Sequence, residues 1–201
     1  IHAMGGEQDM RKMGGLWKYM PITYVVTIIG NLALSGVPPF AGFFSKDMIL
    51  EAASNAHEHG MFGSSFVVFC AYAAVIVTAC YSFRQLFMTF HGKERFREVH
   101  SEDHHDAHAH DDHGHHAVEP KESPWVITLP LILLAIPSVI IGWVAFDKFV
   151  PGQFFHDAIF NASFFADKLA EDPITPIHMM IASLHELPVY LALSGIILAF
   201  I

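Results

Sequence analysis

Charge is what this sequence has least of, and where it is missing matters more than how much is missing. Of 201 residues only 15% are Asp, Glu, Lys or Arg. None of them falls between Lys18 and Lys46, none in the 24 residues from Gly60 to Phe83, and none in the 24 from Ser123 to Phe146. A hydrophobic share of 53% and a mean hydropathy of +0.39 exclude an ordinary soluble domain. Each charge-free run exceeds the ~20 residues that a helix needs to cross a bilayer. Cysteine is almost absent. Cys70 and Cys80 share one apolar run, where ten helical residues rise ~15 Å, so they cannot form a disulfide and read as packing residues. Basic residues are few as well, 11 Lys and Arg against 20 Asp and Glu, and no nucleic-acid partner is expected. No basic-then-apolar leader follows Ile1, and the last apolar run is unfinished at Ile201. The chain therefore reads as a piece of a longer membrane protein.

What is present is an all-α integral membrane pattern, a polytopic helix bundle with one transmembrane helix broken by proline. The broken span covers residues 19–56, and Pro38 and Pro39 interrupt it between Gly36 and Gly42. In a continuous helix these prolines would free the carbonyls of Leu34 and Ser35, which in hydrocarbon must find other partners. A second helix covers 60–90. A third runs from Ser123 to Phe146 with Pro130 and Pro137 inside, and a fourth begins after Glu186. Between the third and fourth, Gln153 to Leu169 sets Phe154, Phe155, Ile159, Phe160, Phe164 and Phe165 among Asp157, Asn161, Asp167 and Lys168. That spacing predicts an amphipathic outer segment within 153–185, packed on its own subunit in preference to lying in lipid.

Basic residues set the expected orientation. Arg11, Lys12, Lys18, Arg84, Lys93, Arg95, Arg97 and Lys121 fall on one side, and only Lys148 and Lys168 on the other. The positive-inside rule places the first group in the cytoplasm. Lys46 then falls in the outer half of the membrane.

Lys46 and Asp47 follow the proline break directly, and two readings of the pair stay open. They can be flanking charges at a helix end, snorkelling to the headgroups. Alternatively Lys46 faces a water-filled cavity that the broken helix makes possible. In that second case Ser45, Asn31, Ser35 and Thr23 could help hold water, although such residues bond their own backbone just as well.

The stretch Ser35-Gly-Val-Pro-Pro-Phe-Ala-Gly-Phe-Phe-Ser-Lys-Asp-Met-Ile-Leu50 resembles the Gly/Pro-rich signature before a membrane lysine in the antiporter-like subunits of respiratory complex I, the distal L-type member most closely. Glu7 to Leu16, Glu-Gln-Asp-Met-Arg-Lys-Met-Gly-Gly-Leu, resembles the loop that precedes the same helix. Mrp-type cation/proton antiporter subunits carry a similar broken helix. The resemblance implies the C-terminal part of a proton-translocating subunit of an NADH:quinone oxidoreductase, with residues 1–98 as helices of its antiporter-like domain and 123–201 as C-terminal helices. It implies that Lys46 ends a half-channel and passes protons outward, with Asp47 beside it. An inner-half lysine and a glutamate would lie on helices preceding Ile1. It further implies no cofactor and no redox chemistry in this chain. NADH, FMN, iron–sulfur clusters and quinone would belong to partner subunits, other membrane subunits of the complex would be neighbours, and the location would be the bacterial inner membrane rather than the mitochondrial one. The alternative is a sodium/proton antiporter subunit of the Mrp type.

The 99–122 loop, predicted to be cytoplasmic, holds eight histidines between His100 and His116. His104, His105, His108, His110, His115 and His116 are chemically capable zinc ligands, and a zinc transporter with a His-rich loop is the more remote alternative. The helices offer no His and Asp pairs for a zinc pathway, so a solvated low-complexity loop is the preferred reading.

Overall fold

The computed structural model describes residues 1–97, 119–149, 154 and 175–201. Among these residues there is no strand. The elements are three short 3-10 turns (His2–Met4, Met10–Lys12, Leu16–Lys18) and six α-helices: α1 Pro21–Ser35, α2 Ala41–Glu58, α3 Ser64–Phe90, α4 Trp125–Phe149, α5 Pro176–Ser183 and α6 Leu187–Phe200. The His-rich run from His100 to His116 and, within the predicted amphipathic segment 153–185, residues 153 and 155–174 lie outside the described residues.

Proline opens α1, where its missing N–H costs nothing. The N-cap residue, Met20, has no side chain to cap the next N–H groups. Glu122 supplies that cap from a hundred residues away, accepting from Ile22 N (2.8 Å), Thr23 N (3.4 Å) and Thr23 Oγ1 (2.6 Å). A carboxylate also suits the positive end of the helix dipole. At the other end Gly36 turns left-handed (φ 73°). Its N–H bonds Ala33 O, and Val37 N bonds Leu32 O, which closes the helix. Pro38 and Pro39 therefore sit in the link between two helices rather than inside one, and the Pro38–Pro39 peptide is cis.

Two helices, Ser64–Phe90 and Trp125–Phe146, are long and apolar enough to cross a membrane. The α4 helix runs through Pro130 and Pro137 without interruption. Both long helices turn large apolar side chains outward, among them Phe66, Phe69, Val126 and Leu134, as a lipid-facing surface requires. With its 15 residues α1 rises ~22 Å, short of the ~30 Å hydrocarbon core, so it is too short to cross alone.

A feature the sequence reading did not separate is the bend before α6. Helices α5 and α6 meet at 62° and together are long and apolar enough for one broken span. Residues 176–183 fall within the range predicted for the outer segment, and Met179 there is buried with Phe43, Phe44 and Phe146.

Small residues let the helices approach. A Cβ on Gly195 of α6 would stand 2.6 Å from the Ile76 carbonyl oxygen and 2.9 Å from Ala79 Cβ on α3. Without a hydrophobic drive between helices in lipid, such close backbone contact is a main source of association. At the basic end, the Glu7–Leu16 loop docks on the segment after α3. Arg95 donates to the carbonyls of Arg11 (2.7 Å), Met10 (3.4 Å) and Met88 (2.9 Å), and Gly15 N bonds His91 O. Gly14 lies so close to the Lys93 carbonyl that no side chain fits there.

Candidate functional site

The break between α1 and α2 leaves backbone groups that the chain must satisfy, and two side chains reach it. Trp143 of α4 donates its indole N–H to the Pro39 carbonyl at 3.1 Å. Lys46, one turn into α2, folds back so that Nζ lies 3.5 Å from the Ser35 carbonyl, a long contact to one of the groups that the prolines were expected to free. The lysine stem lies over Gly36, where a Cβ would come within 2.9 Å of Lys46 Cδ. Gly36 is thus required twice, for its positive φ and for the space above it.

Aromatic packing fixes this geometry. Phe44 is buried and meets Trp143 and Phe146 edge-on at 5.7 and 5.5 Å. Gly42 faces the Ala33 carbonyl, and Gly142 lies against the Phe44 ring and Ala41, with no room for a side chain at either position. Helix α2 is therefore wedged between the end of α1 and the middle of α4.

Lys46 is half-buried. Asp47 is 9% exposed and Ser35 1%. All three line a small pocket with Phe43, Leu50 and Val75, closed on one side by Pro188 and Val189 of α6. Its volume of about 10 Å3 is that of a single water. Among the described residues no ion pair joins Lys46 or Asp47 to any group. The ion pairs there are Arg11–Asp9, Lys12–Glu7, Lys18–Glu94 and Arg97–Glu94, all at the basic end. Outside the membrane, Asp9 accepts from the guanidinium and backbone N–H of Arg11, which hold its carboxyl down at about 2.

The structure brings Lys46, Asp47, Ser35 and Gly36 together and places Gly42, Pro38 and Pro39 around them. It does not bring Ser45 in, because that hydroxyl is exposed and bonds the carbonyl of Gly42 at 3.3 Å. Thr23 belongs to the Glu122 cap at the far end of α1. Asn31 faces α3, where its amide donates to the Ser82 carbonyl at 3.0 Å. Trp143, Glu122 and Ser82 were not singled out from the sequence. Only Glu122 carried a signal, as a carboxylate close before a helix while α1 lacked a cap of its own. Among the described residues no three His, Cys, Asp or Glu side chains group closely enough to hold a metal ion.

Residues 1–74 match the family described as NADH:quinone oxidoreductase/Mrp antiporter, transmembrane. The whole chain is similar to NADH-quinone oxidoreductase subunit L of Neisseria meningitidis serogroup A, 47% identical over 208 residues and covering 100% of this chain and 30% of the relative. NAD(P)H-quinone oxidoreductase chain 5 of Picosynechococcus is 45% identical, over 67% of this chain and 20% of its own length. NADH-ubiquinone oxidoreductase chain 5 of Rhizopus stolonifer is 36% identical, over 80% of this chain and 22% of its own. The chain thus spans less than a third of the length of the relatives it matches.

Proposed function

Because the chain belongs to the antiporter-like membrane subunits of NADH:quinone oxidoreductase, we propose that it carries one end of a proton path whose acting group is Lys46. The observation that carries this reading is the environment of that lysine. Its ammonium sits at a helix break against a single long carbonyl contact, beside buried Asp47, on a pocket of one-water size. An ammonium committed to a salt bridge must break it to give up a proton. Lys46 has no such partner among the described residues, so it can exchange a proton with a pocket water without disturbing a fixed pair. Broken helices lining a polar cavity are the arrangement that ion and proton sites of transporters use.

On this reading the chain does no bond chemistry beyond moving protons. Transfer of electrons from NADH to quinone, with its flavin and iron–sulfur groups, takes place in partner subunits of the same membrane complex. Conformational or electrostatic coupling carries its energy to Lys46. The bacterial relative supports a bacterial inner membrane, and the positive-inside distribution supports a cytoplasmic basic end with Lys46 releasing protons outward. The family description also covers Mrp antiporters, and exchange of a cation for protons at the same lysine is the second reading. The names of the relatives favour the first.

The test is Lys46→Ala in the full-length protein within the assembled complex. Proton pumping into inverted membrane vesicles and NADH:quinone turnover are measured together. Loss of pumping with the complex still assembled is the expected result. Pumping and turnover at the normal rate would make Lys46 a flanking charge and remove the reading.

A further inference from the structure

Three polar contacts lie in order along α1, the first two with α3 and the residue that follows it, the third with Lys46 of α2. At the basic end Tyr24 Oη and His91 Nε2 are 3.0 Å apart. Further along, Asn31 Nδ2 donates to the Ser82 carbonyl at 3.0 Å. At the end of α1 the Ser35 carbonyl faces Lys46 Nζ at 3.5 Å. Tyr24, Asn31 and Ser35 are spaced seven and four residues apart and so share one helix face. Two hydroxyls in this seam, Ser35 Oγ and Ser82 Oγ, belong to residues only 1% exposed and have no hydrogen-bond partner among the described residues. A buried hydroxyl without a partner is costly, so two in one helix contact call for a ligand, and the smallest ligand that can bond a hydroxyl is water.

We propose that the α1–α3 seam, from the Tyr24–His91 pair through Asn31, Ser82 and Ser35, holds a file of water that delivers protons to Lys46 from the basic end of the chain. This rests on the reading of Lys46 as the acting group and adds an inlet built from this chain's own helices. The proton balance is simple. A proton taken up at His91 is matched by one arriving at Lys46, and only O–H and N–H bonds are made and broken, each water passing one proton on as it receives another. Asn31 orients the file without itself changing protonation state. Between Tyr24 and Asn31 the seam is apolar at Ile28, beside Phe83 and Leu86. That turn conducts only when it wets, as apolar constrictions in channels do.

The test uses the full-length protein in the assembled complex, with protons pumped per NADH oxidised as the readout. The variants are Ser35→Ala with Ser82→Ala, the matching pair of Thr substitutions, and Lys46→Ala in parallel. Because neither hydroxyl bonds the protein, the alanine pair removes no protein hydrogen bond and the complex should assemble. Pumping is expected to fall to less than half with alanine and to recover with threonine. Wild-type pumping in the alanine pair while Lys46→Ala pumps nothing would overturn the inlet and leave the lysine reading standing. Wild-type pumping in Lys46→Ala would overturn both. Should the alanine pair fail to assemble, Tyr24→Phe, which keeps the ring on Phe90, carries the same test. There a fall in pumping supports the inlet and unchanged pumping overturns it.

Discussion

The indole N–H of Trp143 and the carbonyl of Pro39 are hydrogen-bonded at 3.1 Å across 104 residues of sequence. This bond satisfies a polar group that the double proline leaves in the break, where lipid offers nothing in exchange. Trp143→Phe keeps an aromatic ring against Phe44 but removes the donor. It should lower stability by about 1–3 kcal/mol, the cost of a buried group left unmade. The check is the thermal midpoint of the purified complex, with Trp143→Leu expected to be worse because the edge-on contacts go too.

Gly42 and Gly142 let α2 lie between α1 and α4. Alanine at either position drives a Cβ into Ala33 or into the Phe44 ring. Overpacking of this kind costs ~1–3 kcal/mol, and Gly42→Ala should cost more because its obstacle is backbone. The expected outcome is a smaller yield of assembled complex from membranes, together with weaker pumping per assembled copy as Lys46 is displaced.

At the other end of α1, Glu122 carries the cap. Glu122→Ala should cost ~1 kcal/mol or somewhat more, within the range for helix caps, and Glu122→Gln less, since its amide oxygen still accepts. Hydrogen exchange at Ile22 and Thr23 would read this directly. Protection at Ile22 and Thr23 should fall in Glu122→Ala while that of α3 stays unchanged.

Gly195→Leu should separate α6 from α3. The added side chain meets Ile76 O and Ala79 Cβ, so the helices must part by about a side-chain width, and the wall of the Lys46 pocket made by Pro188 and Val189 moves with α6. Reduced pumping with a lowered thermal midpoint is the expected pair of results.

Asp9 offers a pH test away from the membrane. Its carboxyl is held at about 2 by Arg11, below the ordinary ~3.9. A lowered folded value means that the turn Asp9–Arg11 is fully favoured above pH ~4 and loses its support as pH falls through about 2. Infrared difference spectra between the wild-type protein and Asp9→Asn should show the carboxylate persisting at pH 3. In Arg11→Ala that signal should already be fading there.

The parts legible in the sequence were those that depend on backbone chemistry or on missing charge. Proline cannot donate, so the break at Pro38–Pro39 could be read, and the long uncharged run made Lys46 stand out. Long apolar runs likewise marked α3 and α4. What could not be read depends on which groups meet across the bundle. Ser45 and Ser82 are the same residue type in apolar surroundings, yet one is exposed on its own helix and the other is buried against Asn31. Residues 176–183 are too short for a span, and they are long and apolar enough for one only together with α6 across the 62° bend. Trp143 and Glu122 act on residues about a hundred positions away, beyond any periodicity.

Gly36 has a use beyond closing a helix. The stem of Lys46 rests where a side chain at position 36 would be, so the two positions behave like a latch and its keeper. Placement of the lysine can be altered without touching the lysine. A series at position 36, with alanine first to set the strain of the left-handed turn and larger residues read against it, would move the ammonium off the Ser35 carbonyl while leaving every titratable group of the site in the chain. That separates where the charge sits from whether it is present, a distinction that no substitution of Lys46 itself can make.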